Sequence, residues 1–238
     1  MTAILAPNFR VHGKGRMSQD HSFSEDERAA VYRTIAERRD VRRGFLNRPL
    51  PEDLLERILG AAHCAPSVGL MQPSRFIVIR ELAIRKAVHE IFKTANRQAL
   101  EGYTGEQGER YSGLKLEGIL EAPQNLCVLC DSKSERGHGL GRQTMPETAA
   151  YSTVCAIQNL WLSARSEGVG VGWVSIVDPA KLRKLLNISD HLVLVAYLCL
   201  GYVEEFAYEP DLERLGWEKR IPLKSVVSYE RYSEAGGS

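Results

Sequence analysis

One stretch constrains the fold of this chain more than any other: Glu167 to Pro179, E-G-V-G-V-G-W-V-S-I-V-D-P, which follows a long apolar helical pattern. Gly168, Gly170 and Gly172 alternate with Val169, Val171 and Trp173. Successive side chains of an extended segment point to opposite faces, so this ribbon carries bulk on one side and nothing on the other. A bare face lets something flat lie against backbone. The plainer alternative is a glycine helix stop at Gly168 followed by a packed strand, with the Ser175 hydroxyl bonded to a nearby carbonyl.

Charge decides which partners the rest of the chain could hold. Lys+Arg 31 against Asp+Glu 30 gives a net charge of +1, so no global field exists for nucleic acid or an anionic membrane surface, and an anion must be held by a local cluster. Such a cluster stands at Arg38-Arg39-Asp40-Val41-Arg42-Arg43, where a helix capped by the Ser24…Glu27 box runs out. Cations at a helix C-terminus offset its dipole and are commonly solvated, but that does not account for Asp40 among four arginines. With 238 residues, 44% of them hydrophobic, the chain is expected to form one domain, residues 22–238, behind a mobile leader over residues 1–21. No signal peptide or membrane-length apolar run is found, which points to the cytoplasm. The five cysteines read as free thiols, and Cys127 and Cys130 as two core residues of a strand, since no second ligand pair completes a metal site.

In chain order, Pro51 opens a helix with a Leu54, Leu55, Ile58, Leu59, Ala62 stripe that ends at A-P-S-V-G-L-M-Q-P (65–73). Residues 76–79 read as a buried strand and residues 82–100 as a helix. A Gly-rich polar stretch from Gly102 to Gly113 leads into a short helix through Leu116, Ile119 and Leu120; together, at about residues 102–121, they are the candidate lid, or equally an inert surface loop. A strand over 125–130 precedes the loop with Gly137, Gly139 and Gly141, whose Arg142 breaks a dinucleotide fingerprint. Pro146 starts a long apolar helix through Ala149, Ile157, Leu160, Trp161 and Ala164, placed centrally or at a subunit interface. Asp178 caps a short helix, 193–200 is a third strand, and the tail from about 203 to 238 wraps over the domain or a partner subunit.

Four separated segments, R-R-D-V-R-R-G-F, A-P-S-V-G-L-M-Q-P-S-R-F, G-R-Q-T-M-P-E-T-A-A-Y-S and G-V-G-W-V-S-I, resemble in order the nitroreductase-like flavoproteins, and within them the 5,6-dimethylbenzimidazole synthases. The likeness spans about Tyr32 to Tyr229. Ordinary nitroreductases carry Ser where Asp40 stands, and this departure points to the synthases.

The resemblance implies an α+β nitroreductase-like fold: a central mixed sheet surrounded by helices in a homodimer with swapped tails. It implies an enzyme that fragments reduced FMN, its substrate, with O2 to 5,6-dimethylbenzimidazole and erythrose 4-phosphate, supplying the lower ligand of cobalamin. A separate flavin reductase would supply the reduced FMN, and no metal, nucleic acid or membrane takes part. Carried over by motif, Arg38, Arg39, Val41 and Arg42 hold the phosphate and ribityl end, joined by Arg220 from the tail. Ser67, Met71 and Gln72 approach the ring from the partner chain, and Gly172, Trp173 and Val174 line the ring and ribityl. Asp40 is implied as general base and Ser175 as the hydroxyl that positions the ribityl chain. The residues alone read Asp40 equally as an ion-pair residue and Ser175 as a satisfied core hydroxyl. The alternatives are an NAD(P)H-dependent nitroreductase or flavin reductase with recycling FMN, and a flavin-storing or sensing module.

Overall fold

The computed structural model describes residues 22–233, so the expected leader, residues 1–21, and the last residues of the tail lie outside the described residues. Helix α1 (Glu25–Glu37) starts at the expected capping box, with the Ser24 Oγ accepting from the Glu27 N–H and the Glu27 carboxylate accepting from the Ser24 N–H at 2.9 Å. Helix α2 (Glu52–His63) begins just after Pro51. Strand β1 (Ser74–Ile79), helix α3 (Leu82–Leu100), helix α4 (Gly105–Ser112), strand β2 (Gln124–Asp131) and helix α5 (Thr148–Ser166) follow. Strand β3 (Val169–Val174), helix α6 (Pro179–Leu185), strand β4 (Leu192–Tyr202) and the short helix α7 (Asp211–Arg214) complete the described chain.

The strands form one sheet in the order β1-β2-β4-β3, and all neighbours pair antiparallel. Among the described residues the sheet is mixed only through a single parallel bridge, Asp40 to Val171, which lays the chain after α1 along the edge of β3. Both faces of the sheet are covered, which is why the central strands read as unbroken apolar runs. Leu126, Val128, Ala196, Leu198 and Leu200 pack with α2 and α5 on one face, while the intervening Cys127, Leu129, Tyr197 and Cys199 pack with α3 and α6 on the other. Burying each such aliphatic side chain contributes about 1.5–3 kcal/mol. The same alternation separates Cys127 from Cys130, three positions on and on the opposite face, so the C-x-x-C spacing cannot chelate one ion.

The lid segment differs from its expected form. The Gly-rich stretch is helical (α4), because Tyr111 buries against Asn96 with a 2.7 Å hydrogen bond, stacks on Tyr103, and an Arg110–Glu106 pair closes a turn on the outside. The expected helix through Leu116 and Ile119 is instead an irregular turn, in which the buried Glu117 accepts from the Ile119 N–H at 2.6 Å and pairs with Lys115 at 2.9 Å. That carboxylate competes with helical hydrogen bonding for the local backbone donors.

The described residues divide into two compact units, one ending at Phe206 and one beginning at Ala207. The second unit holds α7 and exposes Tyr208, Ile221, Leu223, Val226, Tyr229 and Tyr232.

Candidate functional site

The segment from Glu37 to Arg42 is the centre of the site, and it is clamped from two sides. Helix α5 holds its first half: Arg165 donates from Nε to the Glu37 carbonyl at 3.3 Å and from Nη2 to the Glu37 carboxylate at 2.6 Å. One turn earlier, the Trp161 Nε1 donates to the Arg39 carbonyl at 3.1 Å, and the Arg38 guanidinium lies over the Trp161 ring at 4.8 Å. Strand β3 holds the second half. The Val41 N–H donates to the Val171 carbonyl at 3.0 Å, and the Trp173 N–H donates to the Asp40 Oδ1 at 2.9 Å.

This contact explains the glycine ribbon. A Cβ on Gly172 would stand 2.0 Å from the Val41 carbonyl oxygen, and one on Gly170 would meet Val203 at 2.5 Å and Val41 at 3.2 Å. The flat partner of the bare face is therefore the chain's own backbone and side chains at Val41 and Val203. Gly168, with φ +75° and open space around it, is the left-handed helix stop.

Asp40 sits where these elements meet. Its Oδ2 accepts from both Nε and Nη2 of Arg42, at 3.1 and 2.6 Å, and among the described residues its Oδ1 accepts only the Trp173 N–H. Among the described residues one lone pair of Oδ1 takes no other donor, and Oδ1 lies 3.6 Å from the Cβ position of Gly172, on the ribbon side. Arg39 turns its Nη1 back onto the Ala36 and Arg38 carbonyls at the end of α1, each at 2.8 Å. Four arginines against one carboxylate within six residues supply donors of the kind a phosphate takes, since Arg provides forked, charge-assisted hydrogen bonds.

Of the other expected residues, Ser175 follows β3, is exposed, and makes no hydrogen bond among the described residues; the reading of it as a satisfied core hydroxyl does not hold. Trp173 is half-buried and Val174 is buried in the core. The 65–73 loop lies against the other end of α5. The Ser152 Oγ accepts from the Val68 N–H at 3.0 Å, the Ser67 Oγ accepts from the Gln72 N–H at 3.0 Å, and Met71 is buried with Cys130 and Ala149. Gln72, at φ +49°, accepts from Arg136 at 3.2 Å and lies 3.3 Å from the His63 ring nitrogen. Pro66, Ser67 and Val68 form, with Thr148, Tyr151, Ser152 and Cys155, an open hollow of about 280 Å³. Arg220 is exposed in the second unit.

The two halves of the expected site are thus set at opposite ends of α5. Ser152 anchors one and Trp161 the other, nine residues apart, about 14 Å along the helix at its rise per residue. Sequence reading missed Trp161 and Arg165, taking the former as one more apolar residue; the signal available was an indole N–H and a guanidinium at i,i+4 spacing on an otherwise buried helix. Behind the sheet, burial pushes the Cys127 thiol up to about 12 and also raises the Cys199 thiol and the Tyr197 phenol. Among the described residues no group of three or more His, Cys, Asp or Glu could hold a metal ion, and no helix is long and apolar enough to cross a membrane.

Comparison with known proteins adds independent findings. The profile of the Nitroreductase family matches residues 35–202. A 5,6-dimethylbenzimidazole synthase of Rhodospirillum rubrum is 46% identical over 185 residues, covering 78% of this chain and 87% of that protein. One from Rhodobacter capsulatus is 40% identical over 203 residues, covering 85% of this chain and 98% of that protein. Among solved structures, oxidized iodotyrosine deiodinase bound to FMN and 3-iodo-L-tyrosine superimposes with a TM-score of 0.68 at 21% identity, covering 85% of this chain and all of that one, a likeness of fold.

Proposed function

The chain belongs to the Nitroreductase family and, within it, to the 5,6-dimethylbenzimidazole synthases, and on that premise we propose that it fragments reduced FMN with O2 to 5,6-dimethylbenzimidazole and erythrose 4-phosphate. The observation that carries this reading is Asp40: a carboxylate inside an arginine cluster, fixed on the ribbon by the Trp173 N–H, with one Oδ1 lone pair taking no other donor among the described residues. Reduced FMN supplies the electrons for oxygen and the carbon skeleton of both products. Arg38, Arg39 and Arg42 hold its phosphate. Asp40 accepts a ribityl proton at Oδ1, the oxygen with spare capacity. The exposed Ser175 hydroxyl, bound to nothing else among the described residues, orients the ribityl chain. The half-buried Trp173 supplies the strand surface against which it lies, and α4 with the following turn forms the lid that keeps water from the reaction.

The site is completed in a homodimer. The 14 Å separation along α5 supports this, since Ser67, Met71 and Gln72 of one copy can then serve Arg38 to Arg42 of the other. Apolar surface supports it too: Val31, Tyr32 and Ile35 on α1 and Tyr151 and Val154 on α5 are exposed, and the unit after Phe206 carries enough exposed Tyr, Ile, Leu and Val to be a tail that wraps a partner copy. Reduced FMN comes from a separate flavin reductase in the cytoplasm.

The test is to reconstitute the protein anaerobically with reduced FMN, admit air, and measure 5,6-dimethylbenzimidazole and erythrose 4-phosphate by mass. Return of the flavin as oxidised FMN with hydrogen peroxide, together with fast bleaching of bound FMN by NADH, would replace this reading with a nitroreductase.

A further inference from the structure

Trp161 is half hidden from a sequence reading, because a tryptophan on an apolar helix reads as core. Its surroundings set it apart. It is 8% exposed, its indole N–H is used on the Arg39 carbonyl, and its face carries the Arg38 guanidinium at 4.8 Å. One residue thus fixes the backbone on one side of Arg38 and the direction of the Arg38 side chain itself. Arg165, one turn further along α5, fixes the backbone on the other side through Glu37, and is itself stacked on Phe206 at 4.1 Å.

We propose that Trp161 is a positioning residue for phosphate recognition: it holds the Arg38 guanidinium in the orientation that meets the flavin's phosphate, and so sets the preference of the site for FMN over riboflavin. This rests on the reading of Arg38 as a phosphate ligand. An arginine with four rotatable side-chain bonds loses much of its freedom on binding an anion, and a preset stack removes part of that loss before the ligand arrives. The ring face attracts the cation without neutralising it. Trp161 touches neither the ring nor the ribityl chain in this account, so its influence is confined to ligands that carry the phosphate.

The test uses the full chain and oxidised flavins, read by quenching of flavin fluorescence, so that binding is separated from turnover. The wild type should bind FMN more tightly than riboflavin. Trp161→Leu should weaken FMN about tenfold, equivalent to about 1.4 kcal/mol, and leave riboflavin affinity unchanged. Trp161→Phe, which keeps a ring face but has no N–H, should recover part of the loss. In an Arg38→Ala background Trp161→Leu should weaken FMN no further, because the residue it acts through is gone. Equal weakening of FMN and riboflavin by both Trp161 variants would overturn the proposal and leave Trp161 a packing residue. So would full additivity with Arg38→Ala, or an FMN preference that both Trp161 variants keep. A wild type that binds both flavins alike would overturn it together with the assignment of the arginines, whereas the benzimidazole assay tests the reaction apart from either.

Discussion

Replacing Gly172 with Ala should damage the empty protein before any ligand is involved. The new Cβ would lie 2.0 Å from the Val41 carbonyl oxygen, where ordinary contact begins at 3.4 Å, so the Asp40–Val41 segment has to retreat about 1.4 Å from β3. That retreat breaks the Val41 N–H to Val171 bond at 3.0 Å and the Trp173 N–H to Asp40 bond at 2.9 Å. A neutral hydrogen bond contributes about 1 kcal/mol, one to a charged group about 1.5–3, and overpacking adds about 1–3. The sum is about 3.5–7 kcal/mol, and at roughly 2–4 °C per kcal/mol for a chain of this size the melting temperature should fall by about 7 °C or more. FMN affinity should fall as well, because Arg38 to Arg42 move with the segment. Gly168→Ala is the control: no atom lies within 4 Å of its added Cβ, and only its φ of +75° is strained, so about 1–2 kcal/mol is expected. Scanning fluorimetry of the flavin-free protein decides the matter. If Gly172→Ala melts within 2 °C of wild type, roughly 1 kcal/mol or less, and has nonetheless lost FMN binding, the bare face serves the ligand directly and the backbone contact is not what the glycine is for.

Three further outcomes follow from the same geometry. Asp40→Asn should lower the single-turnover yield of 5,6-dimethylbenzimidazole per bound FMN by about 100-fold or more, the usual contribution of a general base, and should also cost about 1.5–3 kcal/mol of stability because Arg42 loses its charged partner; an unchanged yield would leave Asp40 an ion-pair residue. At pH 8 a thiol reagent should modify at most Cys64 and Cys155, the two exposed thiols, while Cys127, Cys130 and Cys199 are buried with raised pKa values and react only after unfolding; fast labelling of Cys127 in native protein, located by peptide mass, would contradict the buried sheet face. The Asp178 carboxylate accepts from the Lys181 and Ala180 N–H groups, which hold its pKa below the ordinary value, so the stability it contributes is present at neutral pH and is lost as pH falls through that lowered value; Asp178→Ala should lose that contribution already at neutral pH and show a shallower acid dependence of melting.

What was legible in the sequence follows from how local each signal is. The Ser24 and Asp178 caps are set by residues three or fewer positions away, and both form as expected. The strands were legible as apolar runs, because a sheet covered on both faces demands apolar residues at every position, and their antiparallel order was not, because pairing partners lie up to 76 residues apart, as Gln124 and Leu200 do. Helix α4 was not legible, because its Gly-rich polar stretch shows no apolar periodicity, while Tyr111 and Asn96, 15 residues apart, supply the anchor that makes it a helix.

The candidate site obeys the same rule. Its arginines and Asp40 are adjacent in the chain and stood out together. What holds them does not: Arg39 meets Trp161 across 122 positions, Glu37 meets Arg165 across 128, and Asp40 meets Trp173 across 133. Those three contacts convert a solvated helix end into a fixed cluster, and none has a periodicity or spacing that a single sequence displays. They also reverse the meaning of the feature that first drew attention. Bare glycine backbone at Gly172 had suggested a resting place for a flat ring, yet the space is filled by Val41. The ribbon's close approach is therefore a means of placing Asp40: only a strand without a side chain at Gly172 lets the Asp40 segment come near enough for the Trp173 N–H to take one carboxylate oxygen while Arg42 takes the other.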